Sequence, residues 1–595
     1  MSTRATRSPR RRTVVALAVV LAVLVAFVIR LVDIQVVNAE SLRADSLGVG
    51  IGGERTLYGA RGTIVDETGA ELAGNVVEYD WEFNPQHVAD IERDGPDGEP
   101  VVITWPEQAE KIAAITGQTP EEVEQIVADA LAANPDTQWA QLATGLTTDQ
   151  HQALRELGYP YLTYREHPAR TYTDGAVAGN LLGFVGADAE PLAGLEASED
   201  ACLAASNGTE SYARGKDGVV IPGTLNQTPA VDGGTLQLTI NRDLQWYLQQ
   251  MIAEEVQRER AEYGTVTVVE VDTGKVRAAA EYPSVDPNDP TASPVEDRGS
   301  RIFSAHFEPG STFKPITAAT LIEEGAATPL TPTVSASGRE TFPNGVTIND
   351  IFSHPAYTYT LAGALVDSSN VALSKFGTMV SDDVRHDYLA DFGVGAGTAI
   401  GFPGEASGIL NPTPWDDASH FTTTFGQYFT VTAPQVASVY QTIANRGVRV
   451  PLTLVESCTT ASGEVIQPDV PEPERVISED TAADVTLMLE NVYQQVANHD
   501  VLAVDGYRMA TKSGTAQKPD GEGGYKQGIF YTTLAGFAPA DDPEYVVILT
   551  LDEPKKNRAS AANAPGFQKA MTQVLKTFRV LPSEEEGPEI LPKYR

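Results

Sequence analysis

Hydrophobic residues form one long unbroken run near the start of the chain, over 13–29, and the run continues past Arg30 to Val32. About 20 apolar residues span a bilayer as a helix, and Arg30 can reach the headgroups with its guanidinium. The pattern therefore predicts a single transmembrane anchor over 13–32. A cleaved signal peptide is the alternative, but the residues that follow lack a clear small-x-small cleavage site.

Arginine is concentrated ahead of this run, with no acidic residue nearby, at Arg4, Arg7, Arg10, Arg11 and Arg12. Positively charged flanks stay on the cytoplasmic side of a membrane. The sequence thus predicts a cytoplasmic tail over 1–12 and a large extracytoplasmic body behind the anchor. No second run of this kind occurs, which indicates a single-pass protein of the cell membrane.

The first part of this body alternates β-type residues with turn signals, and a helical pattern interrupts it. A helix over 32–46 is expected to leave the membrane. Residues 54–73 alternate as strands do around a turn, whereas 105–157 carry apolar residues at spacings of three and four behind several helix starts. We expect a β-rich region over 33–230 with a helical insertion at about 100–160.

From residue 234 the pattern becomes that of an α+β domain. A strand, a long helix and a hairpin around D-T-G come first, and a long helical middle follows. Two hydrophobic strands (TLAGFAPA and YVVILTL) and a helix close the region. Strands at both ends of a helical middle predict one antiparallel sheet, flanked by helices, over 234–581. The acidic, proline-rich residues 582–595 predict a flexible tail.

Composition narrows the possible functions. The chain has 42 Lys and Arg against 81 Asp and Glu, a net charge of −39. This argues against nucleic acid as a partner, since that needs a basic face. Two cysteines and 8 scattered histidines offer no recognisable metal-binding spacing. The sequence therefore argues against a metal or haem enzyme.

One candidate for covalent chemistry is Ser311 with Lys314, in E-P-G-S-T-F-K before an apolar helical run. The two residues are three apart and share a helix face. A serine hydroxyl needs a base, and a lysine is one only when burial or a neighbouring cation keeps it neutral. An N-capping serine beside a solvated lysine is the alternative reading, and S-x-x-K alone has little specificity.

Two further polar segments follow in the chain. Ser368 and Asn370, in S-S-N, are two residues apart and can face one side of a loop, where they could relay a proton and hold an amide. K-S-G-T can bind a carboxylate from a strand edge and supply backbone N–H groups to an oxyanion; it comprises Lys512, Ser513, Gly514 and Thr515. Gly514 would let a substrate backbone lie close. Each segment alone also fits a polar turn or a protected edge strand.

The three segments in this order match the signature of serine β-lactamases and penicillin-binding proteins. The chain resembles a class B penicillin-binding protein, a peptidoglycan D,D-transpeptidase, in the style of actinobacterial members of the cell-division type. The resemblance extends to R-G-T-I-V-D at 61–66, to Arg170, to G-L-E at 194–196 and to K-S-G-T-A-Q. It implies an α+β protein with an elongated β-rich pedestal and a serine β-lactamase/transpeptidase-like domain.

The resemblance also implies roles for individual residues. Neutral Lys314 would take the proton of Ser311, whose oxygen attacks the penultimate D-Ala carbonyl of a stem peptide. Ser368 would pass a proton to the leaving D-Ala, and Asn370 would hold the donor amide. The substrate carboxylate would face Lys512, Ser513 and Thr515. Backbone N–H groups of Ser311 and Thr515 would form the oxyanion hole, and β-lactams would be trapped at the acyl stage. The implied mechanism needs no metal or organic cofactor.

Two departures from the family pattern stand out, and alternatives stay open. The usual G-Q-G is G-Q-Y at 426–428, and the segment before K-S-G-T is unusual, which leaves the loop shapes uncertain. An elongation-specific transpeptidase, a D,D-carboxypeptidase or β-lactamase, and a non-catalytic division scaffold are the alternatives. No glycosyltransferase block precedes the pedestal. The resemblance therefore implies a partner that is a polytopic SEDS-family glycosyltransferase, together with other membrane proteins of the division machinery.

The two cysteines, Cys202 and Cys458, both lie beyond the anchor, where a disulfide can persist. They are 256 positions apart, so a bond would link the pedestal to the transpeptidase domain. Two separate buried thiols are the alternative. We expect the bond, which requires Cα atoms within about 7 Å.

Overall fold

The computed structural model describes residues 9–33, 35, 52–94, 99–186, 189–213, 221, 224–332, 335–521, 524–583 and 587–595. The helix predicted over 32–46 falls almost entirely outside these residues. Contacts divide the chain into two units, one of residues 1–60 with 205–232 and one of residues 61–204 with 233–595.

The helices of the described residues are, in chain order, α1 (Pro9–Val32), α2 (Trp105–Thr116), α3 (Pro120–Ala133), α4 (Thr148–Leu157), α5 (Gly179–Leu182), α6 (Gly194–Ser198), α7 (Asp200–Leu203), α8 (Arg242–Glu259), α9 (Arg301–Ser304), α10 (Lys314–Glu323), α11 (Leu361–Val366), α12 (Asn370–Gly377), α13 (Asp382–Asp391), α14 (Ser419–Thr422), α15 (Ala433–Ala444), α16 (Glu479–Gln495), α17 (His499–Leu502) and α18 (Ala564–Thr577).

The strands of the same residues are β1 (Gly52–Leu57), β2 (Ile64–Val65), β3 (Glu71–Phe83), β4 (Ile91–Asp94), β5 (Pro100–Ile103), β6 (Ala140–Leu146), β7 (Leu162–Tyr172), β8 (Gly208–Ala213), β9 (Asn226–Thr228), β10 (Thr235–Leu238), β11 (Tyr263–Glu270), β12 (Val276–Tyr282), β13 (Arg339–Thr341), β14 (Thr347–Asn349), β15 (Val448–Arg449), β16 (Val455–Thr459), β17 (Val465–Ile466), β18 (Glu474–Arg475), β19 (Ala510–Pro519), β20 (Tyr525–Ala538) and β21 (Tyr545–Asp552).

The smaller unit contains the predicted anchor. Within α1, Thr13–Val32 is long and apolar enough to cross a membrane, with a mean hydropathy of 3.0. The side chains of these 20 residues are exposed to the surroundings, as expected for a helix that meets lipid. Strands β1, β8 and β9 form a separate three-stranded antiparallel sheet in this unit.

The larger unit contains a seven-stranded sheet in the order β17-β16-β10-β2-β3-β6, with β7 also paired to β3. The insertion helices α2, α3 and α4 cover part of β3, whose Trp81 and Phe83 share a buried core with them. Each of these helices starts at a capping box, which satisfies otherwise unpaired N–H groups: Thr104 with Glu107, Thr119 with Glu122, and Thr147 with Gln150. The predicted helical insertion is therefore present.

One segment of this insertion differs from the prediction. Residues 140–146 were expected to continue the helical pattern, but they form β6 and pair antiparallel with β3. Ala140 and Leu142 alternate into the core, so the period of this short stretch is that of a strand. The long helices on either side hid this period in the sequence.

A buried ion network explains two pedestal segments that the sequence singled out. Glu196 is fully buried and accepts from Arg61 Nε at 2.5 Å and from Arg170 Nε at 2.6 Å. Asp200 also accepts from Arg61, at 2.7 Å. Such a network is strongly destabilised when one member is removed, because the others are left as unpaired buried charges.

Strands from both sides of the predicted domain boundary lie in the same sheet. Leu236 of β10 stands opposite Ile64 of β2 in a parallel pair and opposite Cys458 of β16 in an antiparallel pair. This shared sheet is why contacts group 61–204 with 233–595. The bounds 33–230 and 234–581 remain predictions.

A disulfide in the structure also joins the two sides of that boundary. It links Cys202 of α7 to Cys458 of β16, and the two Cα atoms are 6.0 Å apart. This separation is within the limit that a disulfide requires. Formation of this bond in the isolated protein stays a prediction.

The five-stranded sheet of the second half has the order β12-β11-β21-β20-β19, and each neighbouring pair is antiparallel. Strands from both ends of the region thus form one sheet, and this prediction is confirmed. Successive residues of a strand face opposite sides. Accordingly, Val547 of β21 packs in the core with α8 and α18, whereas Ile548 packs in the core with α15.

The sequence predicts a flexible tail over 582–595, whereas residues 587–595 lie in the structure as an extended segment with specific contacts. Leu591 is 4% exposed, and the segment makes hydrogen bonds to α16 and to the start of α11. The composition is acidic and rich in proline, but the buried side chain of Leu591 and these hydrogen bonds anchor the segment.

Candidate active site

The turn that carries Ser311 leads directly into the helix that carries Lys314. Residues Gly310–Phe313 form a 3₁₀ turn, and α10 begins at Lys314. Positions i and i+3 of a 3₁₀ turn eclipse each other, so both side chains lie on one side. Lys314 is fully buried, whereas Ser311 is half-buried in the wall of a cavity of about 600 Å³.

The S-S-N segment connects α11 to α12, and its residues have different environments. Ser369 caps α12 by accepting from Ala372 N at 3.0 Å, and its hydroxyl donates to Asp350 Oδ2 at 2.6 Å. Ser368 has a φ of 55°, in the left-handed region that non-glycine residues rarely occupy. The Ser369 hydroxyl therefore has a structural role, whereas the side chains of Ser368 and Asn370 contact Lys314.

Lys314 is the centre of the polar contacts. Its Nζ lies 2.5 Å from Ser368 O, 3.1 Å from Ser368 Oγ and 2.7 Å from Asn370 Oδ1. Lys512 Nζ lies 3.0 Å from Ser368 Oγ on the other side. Residues from three distant segments therefore meet at one hydroxyl. Within the described part of the chain, the Ser311 hydroxyl has no hydrogen bond to this group.

Burial sets the protonation of the two lysines. It lowers the pKa of Lys314 well below the usual 10.5, the charge of Lys512 acts in the same direction, and Asp350 opposes them. Burial also lowers the pKa of Lys512, to about 7. A lowered pKa favours the neutral amine, which can accept a proton, so Lys314 has a property that a general base requires.

Strand β19 forms the opposite wall of the cavity and carries K-S-G-T. Thr515 lines the cavity, and its Oγ1 accepts from Ser560 N at 3.0 Å. The half-buried Ser513 precedes Gly514, and Ser513 O accepts from Lys512 Nζ at 3.1 Å. Lys512 therefore lies next to Ser368, and Thr515 shares the cavity wall with Ser311.

Gly514 has a packing role that the sequence did not indicate. A Cβ at this position would lie 2.8 Å from Pro309 O and 3.0 Å from Thr312 Cγ2. Real Cβ atoms rarely approach other atoms this closely, so the glycine lets β19 pack directly on the turn that holds Ser311. This contact, rather than substrate approach alone, requires a residue without a side chain.

Comparison with known proteins places this arrangement in a family. Residues 264–572 match the penicillin binding protein transpeptidase domain, and residues 56–238 match the penicillin-binding protein dimerisation domain. The penicillin-binding protein PbpB of Mycolicibacterium smegmatis is 32% identical over 599 residues, which cover 96% of this chain and 91% of that protein. This chain belongs to the penicillin-binding protein transpeptidase family.

Two further comparisons agree with this membership. The peptidoglycan D,D-transpeptidase FtsI of Escherichia coli is 31% identical over 531 residues, which cover 88% of this chain and 84% of that protein. The crystal structure of penicillin binding protein 3 from Mycobacterium tuberculosis, complexed with aztreonam, is similar with a TM-score of 0.68 at 26% identity. That similarity covers 91% of this chain and 100% of the other.

In the G-Q-Y segment, Tyr428 stands where the family usually has glycine, and its backbone has a left-handed conformation that glycine adopts easily. Tyr428 has a φ of 75°, in the left-handed region, and its N–H donates to Glu308 Oε1 at 2.9 Å. The Tyr525 hydroxyl also donates to Glu308, and burial raises the pKa of this carboxyl. Gly426 O accepts from Gly310 N at 2.8 Å, and a Cβ on Gly426 would lie 2.0 Å from Gly310 O. The loop therefore supports the turn that carries Ser311.

Sequence reasoning missed several residues of this penicillin-binding site. Asp350 anchors the S-S-N segment, and Asn557 and Arg558 line the cavity. They lie in loops and have no distinctive spacing in the sequence. Only the position of Asn557 after a hydrophobic strand could have indicated it, and that signal is weak.

Proposed function

We propose that this chain is a peptidoglycan D,D-transpeptidase that cross-links stem peptides through a serine acyl-enzyme. The observation that carries the proposal is the position of Lys314 Nζ. It is buried beside Ser368 and Asn370, and Asn370 and Ser311 line the same cavity. A base whose pKa is lowered by burial, next to a serine and a second hydroxyl, suits acyl transfer.

In the acylation step, Lys314 takes the proton from Ser311 Oγ as that oxygen attacks the penultimate D-Ala carbonyl of the donor stem. Backbone N–H groups of Ser311 and Thr515 stabilise the oxyanion, an effect of about 3–4 kcal/mol per donor in comparable sites. The peptide C–N bond breaks, and the terminal D-Ala leaves with a proton delivered through Ser368. The contacts of Ser368 Oγ with both lysines support this relay.

The remaining residues hold the donor. Asn370 binds its amide, and Lys512, Ser513 and Thr515 receive the terminal carboxylate. An amine from a second stem then attacks the ester, releases Ser311 and forms the cross-link. A β-lactam mimics the donor and stops as a stable acyl-enzyme on Ser311. The crystal structure of the related penicillin binding protein 3 in complex with aztreonam supports this last step.

Labelling with a fluorescent penicillin tests the proposal. Ser311→Ala is expected to abolish covalent labelling while its thermal unfolding stays close to that of the parent. Ser462→Ala, an exposed serine in the turn between β16 and β17, is the matched control and should label fully. Undiminished labelling of Ser311→Ala at a single site would refute the assignment of the nucleophile.

A donor stem peptide with and without an amine acceptor distinguishes a transpeptidase from a carboxypeptidase or β-lactamase. We expect D-Ala release and cross-linked product to rise together when the amine is added. Fast D-Ala release without an acceptor, and no cross-linked product with one, would make the enzyme a hydrolase. A protein that labels with penicillin but never releases D-Ala would point to a scaffold.

We further propose that the protein acts in septal rather than elongation synthesis, from the outer face of the cell membrane. The arginines before α1 support a cytoplasmic N-terminus. The naming of the relatives PbpB and FtsI supports the septal role. Depletion should give filaments with failed septa; rounded or widened cells that still divide would indicate elongation instead.

A polymerase must supply fresh glycan for cross-linking, and we propose a polytopic SEDS-family glycosyltransferase as this partner. The exposed apolar surface of α1 supports a contact within the membrane. The resemblance to class B penicillin-binding proteins supports a second contact through the pedestal, just outside the membrane. Co-purification from detergent is the test. A protein with a foreign transmembrane helix and no pedestal that still binds fully would contradict this contact.

A further inference from the structure

Residues 589–595 lie as an extended segment, which we call the C-terminal strap, on two helices of the catalytic region. On α16, Asn491 is fully buried, and its Nδ2 donates to Glu589 O at 2.9 Å while its Oδ1 accepts from Leu591 N at 2.8 Å. Gln495 Nε2 donates to Leu591 O at 3.2 Å. A buried amide that bonds one segment through both its nitrogen and its oxygen, in addition to its hydrogen bonds within α16, favours a single register of that segment.

The strap then crosses the start of α11. Thr360 donates from its N–H to Lys593 O at 3.0 Å and from its hydroxyl to Pro592 O at 2.8 Å. Gly363 lies directly beneath, where a Cβ would be 1.9 Å from Lys593 O. The first turn of α11 is therefore shaped to let the strap backbone pass in contact with it.

The strap ends its path at the residue that precedes Ser368. Lys593 Nζ pairs with Asp367 Oδ1 at 2.8 Å, and the Tyr594 hydroxyl donates to Asp367 Oδ2. These two contacts bind both oxygens of one carboxylate, which fixes its orientation as well as its position. Asp367 is the C-terminal cap of α11, so its backbone leads directly into the S-S-N segment.

Ser368 needs such support because of its backbone. A φ of 55° is unfavourable for a residue with a Cβ and persists only where the surroundings enforce it. On the far side, Asp350 holds the segment through Ser369 Oγ at 2.6 Å and Val371 N at 3.0 Å. On the N-terminal side of Ser368, the strap holds the segment through its contacts with Asp367.

We propose that Lys593 and Tyr594 are positioning residues, which hold Ser368 between the two lysines through Asp367. The inference rests on the proposed role of Ser368 in proton transfer. If Asp367 were released, α11 and α12 would stay folded, but the hydroxyl would no longer be kept within hydrogen-bonding distance of both amines. The effect should therefore fall on the rate of acylation and leave recognition of the carboxylate by K-S-G-T intact.

The test uses full-length protein in detergent and a fluorescent penicillin. Lys593→Met keeps the aliphatic stem, Tyr594→Phe removes one hydroxyl, and a double variant removes both contacts. Stopped-flow labelling gives the acylation rate constant and the apparent dissociation constant separately, and long incubation gives the fraction of molecules that label. Ile590→Ala, on the same strap but 58% exposed, is the control.

We expect the double variant to acylate about tenfold more slowly, because a misplaced group costs at least this much when geometry is tight. Its labelling should still reach one penicillin per protein, with an apparent dissociation constant within about twofold of the parent. Lys593→Arg, which keeps the cation, should recover most of the acylation rate that Lys593→Met loses. Ile590→Ala should match the parent.

Two results would overturn the inference. One is an unchanged acylation rate in the double variant. The other is an unchanged rate in a reduced fraction of labelled molecules, since that pattern means that the strap only keeps the protein folded. Ser368→Ala is measured alongside. If it acylates at the parent rate, the proposed role of Ser368 fails; if it is slow while the double variant is not, only the strap inference fails.

Discussion

Replacing Gly514 with alanine tests whether the cavity depends on the contact between β19 and the turn of the nucleophile. The added Cβ would lie 2.8 Å from Pro309 O and 3.0 Å from Thr312 Cγ2, whereas ordinary contacts begin near 3.4 Å. Strand and turn must therefore separate by about 0.5 Å, which lies within the range of strain that overpacking produces in close-packed interiors. Ser311 lies between the two contacted residues in the chain, so a displacement of the turn also displaces the backbone of Ser311.

The size of the effect follows from this displacement. Misplacing a reacting group by about 1 Å can cost about 100-fold in rate, so about 0.5 Å predicts a loss near tenfold, or ~1.4 kcal/mol. Overpacking should also lower the free energy of unfolding by about 1–3 kcal/mol. We expect Gly514→Ala to show both a slower acylation rate constant and a lower unfolding midpoint.

Stopped-flow penicillin labelling and thermal unfolding measure these two quantities. Gly299→Ala is the matched control, because a Cβ there meets no atom within 4 Å. If Gly514 served only the approach of substrate, the variant would keep its unfolding midpoint and its rate constant and lose only affinity for penicillin. Such a result, or parent-like behaviour in every measurement, would refute the packing argument.

Three further predictions follow from the charges and the covalent link. Acylation should weaken as pH falls, because burial lowers the pKa of Lys314 and only its neutral form, present above that pKa, accepts the Ser311 proton. Affinity should weaken on the alkaline side, because Lys512, with its pKa lowered to about 7, must stay charged; a flat profile from pH 5 to pH 9 would contradict both statements. Thiol titration of unreduced, denatured protein should detect no free thiol, and two free thiols would contradict the disulfide. The double variant Cys202→Ser with Cys458→Ser should lower the free energy of unfolding by about 5 kcal/mol at most, since the bond closes a long loop. Glu196→Gln should cost about 3 kcal/mol by leaving Arg61 and Arg170 poorly paired, while the exposed Glu190→Gln should cost almost nothing in the same denaturant titration.

The sequence was sufficient for the features whose signal is periodic or ordered along the chain. The hairpin around D-T-G and the two late hydrophobic strands predicted a sheet built from both ends of the domain, and the structure has it. The order of S-T-F-K, S-S-N and K-S-G-T predicted that these segments meet, and Ser368 indeed contacts Lys314 and Lys512. Strand patterns and short motifs can be read from the sequence because each depends on the chemistry of residues that are neighbours in the chain.

Features that depend on tertiary contact were not predictable. Residues 587–595 look flexible by composition, but Asn491 and Thr360 provide partners that no local pattern reveals. Asp350 is one acidic residue among 81 Asp and Glu, and only its contact with Ser369 gives it significance. Strand β6 takes its state from pairing with β3, which outweighs the helical pattern on either side.

The paired lysines and Ser368 are best understood as one titrating unit. Both amines are buried and contact the same hydroxyl, at 3.1 and 3.0 Å, and the carboxylate that influences Lys314 is Asp350. Two amines with one nearby carboxylate favour a single shared proton, because a second cation in the same buried space is repelled. When the Ser311 proton reaches Lys314, the proposed mechanism briefly creates that second cation. In the proposed mechanism, this repulsion drives a proton through Ser368 towards the leaving D-Ala nitrogen. Such a relay requires a hydroxyl that contacts both lysines, and Ser368 Oγ has both contacts.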